Sequence, residues 1–95
     1  MNVIQNSVAV SGTITANNTQ QDLIVLHNVA TLIAVLTFSL PANPINGQLV
    51  TFSTKGGITL FTITGGSLAT TLTTLLAGNS ARWVYNSSSS NWFRI

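Results

Sequence analysis

Apolar and polar residues alternate with a period of two along most of this chain, the pattern of strands with one buried face. In "SVAVSGTIT", Val8, Val10 and Ile14 share one side, and Ser7, Ser11, Thr13 and Thr15 share the other. "ANNTQQ" reads as a turn, and "DLIVLH" as a strand apolar on both faces, hence central or covered. After a second turn at "NVAT", Leu32, Ala34, Leu36, Phe38 and Leu40 fall on one side, with Thr37 and Ser39 opposite. Pro41 and Pro44 end this strand, because proline cannot donate to a sheet ladder. "NPING" is a turn in which Asn46-Gly47 suits positive φ. "QLVTFST" follows with Val50 and Phe52 inward, then "KGG" as a tight hairpin connection, then "ITLFTIT" with apolar groups on both faces.

"LATTLTTLLAG" is the one stretch with helical spacing, at Leu68, Leu72, Leu75 and Leu76. Threonine is a mediocre helix former and no cap precedes the run, so extended structure is favoured. No internal repeat is evident. Short strands with Gly, Asn and Pro between them predict an all-β domain, a small β-sandwich of jelly-roll-like form. Residues 1–7 read as an N-terminal arm or first strand, and 8–95 as a single β-sandwich domain.

The chain closes with "SARWVYNSSSSNWFRI", an evident hairpin about "NSSSSN". Folding it about its centre sets Tyr85 against Trp92, Val84 against Phe93 and Trp83 against Arg94, and residues opposite each other share a face. Trp83, Tyr85, Trp92 and Arg94 therefore lie on one side, and Val84, Phe93 and Ile95 on the other, with Arg82 at its edge. The second side has the composition of a core. The first suits an aromatic stack or subunit interface, in which Arg94 lies over Trp83, or a platform for a glycan. A slip of one residue would exchange the two faces.

Composition narrows the function. Charged residues make up 4% of the 95, against about 25% in ordinary soluble domains. Thr, Ser and Asn take their place, and such groups cost far less to desolvate than ions. A surface of this kind suits packing against other copies. A domain this small has a modest core, and without cysteine no disulfide reinforces it. Oligomerisation is the expected source of added stability. One histidine and one acid build no structural zinc site, and no cofactor motif is present. The cations Lys55, Arg82 and Arg94 are too few for a nucleic-acid footprint.

The apolar run from Leu23 to Leu40 is just long enough to suggest a membrane helix. His27 and Asn28 interrupt it, no Lys or Arg flanks it, and its second half alternates, so strands are expected instead. Enzymatic activity is not expected. Asp22 and His27 are five apart and would point to opposite faces of one strand. There is no second acid. "KGGITLF" and "TGGSL" lack the spacing of a phosphate loop. His27, inside an apolar run, is expected to be a hydrogen-bonded core residue.

"LTFSLPANPINGQLVTFST" and "LLAGNSARWVYNSSSSNWFRI" resemble small β-domains of tailed-phage virion proteins. In those domains a strand ends in Leu-Pro, a Pro/Asn/Gly turn leads into "GQ.VTF", and a polar-tipped hairpin closes on Asn/Thr-Trp-Tyr/Phe-x-Ile. The similarity covers roughly residues 32 to 95 and is one of turns and strands. It implies a homotrimer in a virion, without carrying over an active site. Because the sequence spans about one domain, a capsid decoration or cement protein is the favoured expectation. It would sit on the capsid exterior, contact the major capsid protein and bridge capsomers. A tail fibre or baseplate component with a receptor- or glycan-binding role is the alternative.

Overall fold

The computed structural model describes residues 2–17, 19–68 and 74–95. Among these residues nine strands are formed: β1 (Asn2–Ser7), β2 (Thr13–Thr15), β3 (Asp22–His27), β4 (Ile33–Ser39), β5 (Leu49–Thr54), β6 (Ile58–Thr64), β7 (Ser67–Leu68), β8 (Ser80–Asn86) and β9 (Asn91–Arg94). They make a six-stranded sheet ordered β1-β3-β5-β8-β9-β7 and a three-stranded sheet ordered β2-β4-β6. The all-β, two-layer arrangement expected of a small sandwich is therefore present.

The way the chain enters these layers is the main departure from a jelly roll. Its first six strands alternate between the sheets, and within each sheet they run parallel. The chain is thus wound as three coils, β1–β2, β3–β4 and β5–β6, each contributing one strand to either layer. Parallel neighbours need a long crossover, and here the crossover is the strand of the opposite sheet. "NVAT" and "KGG" are accordingly corners between layers. Adjacent corners stack closely: a Cβ at Gly56 would lie 2.5 Å from the carbonyl oxygens of both Thr31 and Val29. The Lys55 amide donates to the His27 carbonyl at 3.0 Å, and Ile33 to Gly57 at 2.9 Å.

The coils hide their repeat because their lengths differ. Asn2 is opposite Asp22, Leu23 is opposite Val50, Thr13 is opposite Thr37 and Ile33 is opposite Ile58. The separation is twenty residues in the first pair and twenty-seven in the second, owing to the Pro/Asn/Gly loop before β5. A fixed period does not survive such insertions.

Local phase also differs from strict alternation at two places. Val8 and Val10 are exposed, because residues 8–12 form the corner between β1 and β2, where Gly12 takes φ +85°. In β4, Ile33 and Leu36 are buried while Ala34 and Val35 are exposed, as is Leu32 just before the strand. β6 makes the same slip, with Ile58 and Phe61 inside and Leu60 outside, and Leu36 faces Phe61 in register. The two strands therefore break phase together and keep their ladder.

The core lies between the layers. Phe38, Phe52 and Phe61 form its centre, with ring centroids 5.0 Å apart for Phe38–Phe52 and 4.8 Å for Phe52–Phe61. Leu23, Val25, Val50, Leu36 and Ile58 surround them. The run from Leu23 to Leu40 supplies β3, a corner and β4. Among the described residues no helix is long and apolar enough to cross a membrane, which does not bear on β-barrels. Leu68 lies in β7, and Leu75 bridges to Ile58. Leu72, part of the helically spaced set, lies outside the described residues.

The two ends of the coil stack are built differently. At the C-terminal end, β8 joins β5 antiparallel and β9 follows, so the parallel sheet is closed off by a hairpin. The Ile58–Leu75 bridge covers the start of β6. At the other end, β1 and β2 are edge strands of their sheets. The Gln5 side chain ties them together, donating to the Thr15 carbonyl and accepting from the Asn17 amide, both at 2.8 Å.

Candidate functional site

The terminal hairpin has the register read from its sequence: Trp83 opposite Arg94, Val84 opposite Phe93, Tyr85 opposite Trp92. Its faces are the reverse of the expected assignment. Trp83 and Trp92 are 0% and 1% exposed, whereas Phe93 is 37% and Ile95 65% exposed. The reason lies in β5. Val50 and Phe52 point into the core, and β8 pairs with them through Trp83 and Ala81. Those residues must share the inward face, which sends Val84 and Phe93 outward. Residues with a large flat ring thus complete the core of a domain too small to do so with aliphatic groups alone.

Of the four side chains proposed as an interface or glycan face, Trp83 and Trp92 offer no ring face to a ligand. Tyr85 is half-buried with its ring 5.2 Å from that of Trp92, and Arg94 is exposed at the rim. The buried indole of Trp83 carries an Nε1–H with no hydrogen-bond partner among the described residues. Gly66 makes room for the other indole, since a Cβ there would stand 3.0 Å from Trp92 Cδ1 and Nε1.

Tyr85 does reach a second feature. With Phe93, Asn46, Asn86 and Ser88 it lines an open hollow between the Pro/Asn/Gly loop and the hairpin tip. Its polar rim is held in place. The Ser87 amide donates to Asn46 Oδ1 and the Ser88 amide to Asn86 Oδ1, each at 3.0 Å.

His27 is a core residue, 1% exposed. Its Nε2 lies 2.6 Å from the Ala9 carbonyl oxygen, an atom that only accepts, so this nitrogen carries a proton. Nδ1 lies 2.9 Å from Thr54 Oγ1, which in turn donates to the Gly56 carbonyl. The ring stacks on Phe52 at 5.9 Å. Its two nitrogens staple the corner after β1 to the corner after β5. Asp22 points to the outer face and accepts from the Leu49 amide at 3.0 Å. Asp22 and His27 therefore do not meet, and the described residues contain no group of three metal-ligating side chains.

Gln48 is a structural residue that periodicity could not flag. It is 1% exposed, and its Nε2 donates to the carbonyls of Thr19 and Gln21 at 2.7 and 2.9 Å. Its Oε1 accepts from the Ile45 amide at 3.2 Å. A lone buried amide between loops leaves no pattern in the sequence beyond its place in "NGQ".

Apolar side chains also spread over the outer face of the six-stranded sheet. Ile4, Ile24, Thr51 and Arg82 form one row across β1, β3, β5 and β8. Asn6, Leu26, Ser53 and Ser80 form the next, and Leu49, Val84 and Phe93 a third. Ile4 is 58% exposed and Leu26 37%. The chain's only acid, Asp22, and one of its three cations, Arg82, share this face. The chain matches no protein-family model, no curated protein and no solved structure.

Proposed function

We propose that this chain is a structural protein of a phage virion, a capsid decoration protein that works by assembly and not by chemistry. The observation that carries the assembly reading is the outer face of the six-stranded sheet, where Ile4, Ile24, Leu26, Val84 and Phe93 stand among neutral polar residues. Burying them against other copies gives roughly 25 cal/mol per Å2 of apolar area, less the cost of desolvating Asp22 and Arg82 on the same face. Asp22 and Arg82 on the same face allow one copy to offer each charge to the next. A homotrimer closed over this face leaves the edges of β1 and β2 available to a strand of the major capsid protein. Three such contacts per trimer add through effective concentration, which suits bridging of capsomers. The virion assignment itself rests on the resemblance of the turn and strand pattern.

Copy number per purified particle, by quantitative mass spectrometry against the major capsid protein, tests it. Hundreds of copies are expected of a head decoration protein, and absence from the particle overturns the reading.

A second reading, a tail or baseplate component that binds a glycan, is favoured by the hollow at Tyr85, Phe93, Asn46 and Asn86. Rings beside fixed amides suit a sugar. It predicts a few dozen copies or fewer, and glycan-array binding lost on Tyr85→Ala or Phe93→Ala.

A further inference from the structure

The outer face of the three-stranded sheet carries a different kind of surface. Thr13 is opposite Thr37, and Thr37 is opposite Thr62. Two residues along, Thr15 is opposite Ser39, and Ser39 is opposite Thr64. The residues between them, Ile14, Phe38 and Ile63, are in register too and belong to the core side. Six hydroxyls therefore stand in two rows across three parallel strands. Thr13, Thr15, Thr62 and Thr64 are exposed, and Thr37 and Ser39 are half-buried between their neighbours.

The spacing of this array is set by the backbone. Neighbouring strands lie ~4.8 Å apart, and alternate residues on one strand ~6.6 Å apart. Threonine is β-branched and stiff at χ1, so its hydroxyl and methyl are held with little rotamer entropy left to lose. No charged residue occurs in β2, β4 or β6. That matters because an ion orients its own hydration shell and resists giving it up. No aromatic residue of these strands faces outward either: Phe38 and Phe61 are buried. A sugar site would want a ring or a hollow. A repeating row of hydroxyls with methyls between them instead orders water at fixed intervals.

We propose that this face binds ice: the hydroxyl rows of β2, β4 and β6 anchor a layer of lattice water, with Val35 and Leu60 as its apolar margin. The inference is independent of the virion reading, which buries the outer face of the six-stranded sheet and takes from this sheet only the edge of β2. With three strands the face is small, so the expected activity is partition into growing ice and slowed recrystallisation, not a wide freezing gap.

The test is ice-affinity partitioning of the purified chain beside Thr62→Lys, Thr13→Lys and Ser89→Lys, the last at the exposed hairpin tip on another surface. Far-UV circular dichroism identifies which variants keep the fold. The wild type and Ser89→Lys are expected to enter the ice fraction equally. Folded Thr62→Lys or Thr13→Lys is expected to fall by about tenfold, the factor given by ~1.4 kcal/mol of lost binding. Two sites are varied because one change can disturb its strand. Exclusion of the wild type from ice, to the level of a neutral reference protein, overturns the proposal. So does undiminished partition of a folded threonine variant.

Discussion

Trp83 stands opposite Val50 across the junction of β8 with β5, and both are 0% exposed. This pair decides which side of the terminal hairpin is core. Trp83→Ala is expected to cost about 3–5 kcal/mol in chemical denaturation, the range for emptying a buried indole site. Trp83→Phe should cost less, because it keeps a ring in the site and also removes an Nε1–H that has no partner among the described residues. Equal losses in the two variants would contradict this account of the site.

The buried Gln48 amide holds two loops together through Thr19, Gln21 and Ile45. Gln48→Leu keeps the bulk but leaves those backbone groups without partners. A loss of about 1–3 kcal/mol is expected from denaturant midpoints. Hydrogen exchange should rise at the Ile45 amide, the group that donates to Gln48 Oε1.

Corner packing separates two kinds of glycine. At Gly56 a side chain meets the carbonyls of the preceding corner at 2.5 Å, and backbone on both sides must move. Gly56→Ala is expected to destabilise by about 2–3 kcal/mol or prevent folding. Gly12 has φ +85° but nothing within 4 Å of a new Cβ. Gly12→Ala meets only the left-handed backbone cost of about 1–2 kcal/mol. Thermal melts of the two variants, compared at one pH, check the ordering.

Much of this architecture is legible in the residues, and the parts that are not share a cause. Alternation located most strands, and the symmetry of "WVYNSSSSNWFR" about its polar tip set the hairpin register correctly. What alternation cannot convey is which strand lies beside which. "KGG" is as good a corner between layers as a hairpin turn, so parallel winding and sandwich hairpins leave the same local signal. The faces of the terminal hairpin are ambiguous in the sequence for a related reason. Trp-Tyr-Trp and Val-Phe-Ile are both credible cores, and only the pairing of Trp83 with inward Val50 separates them. The threonine rows were visible as "TIT", "TFS" and "TIT", but became an array only when winding placed them side by side.

If the outer face of the six-stranded sheet is where copies meet, charges introduced there should separate them without unfolding them. Leu26→Lys and Ile4→Lys alter exposed positions in neighbouring strands. Each is expected to shift the melting temperature of the isolated chain little and to weaken association by tenfold or more, about 1.4 kcal/mol. Arg82→Glu removes the complement to Asp22 on the same face, and its effect should shrink as salt is raised.

The most direct measurement is the mass of the purified chain in solution by sedimentation equilibrium, run beside Leu26→Lys. Three times the 10.0 kDa chain mass for the wild type, falling to one chain mass in a folded variant, is the predicted result. A wild type that sediments as a monomer throughout the micromolar range would contradict assembly through this face.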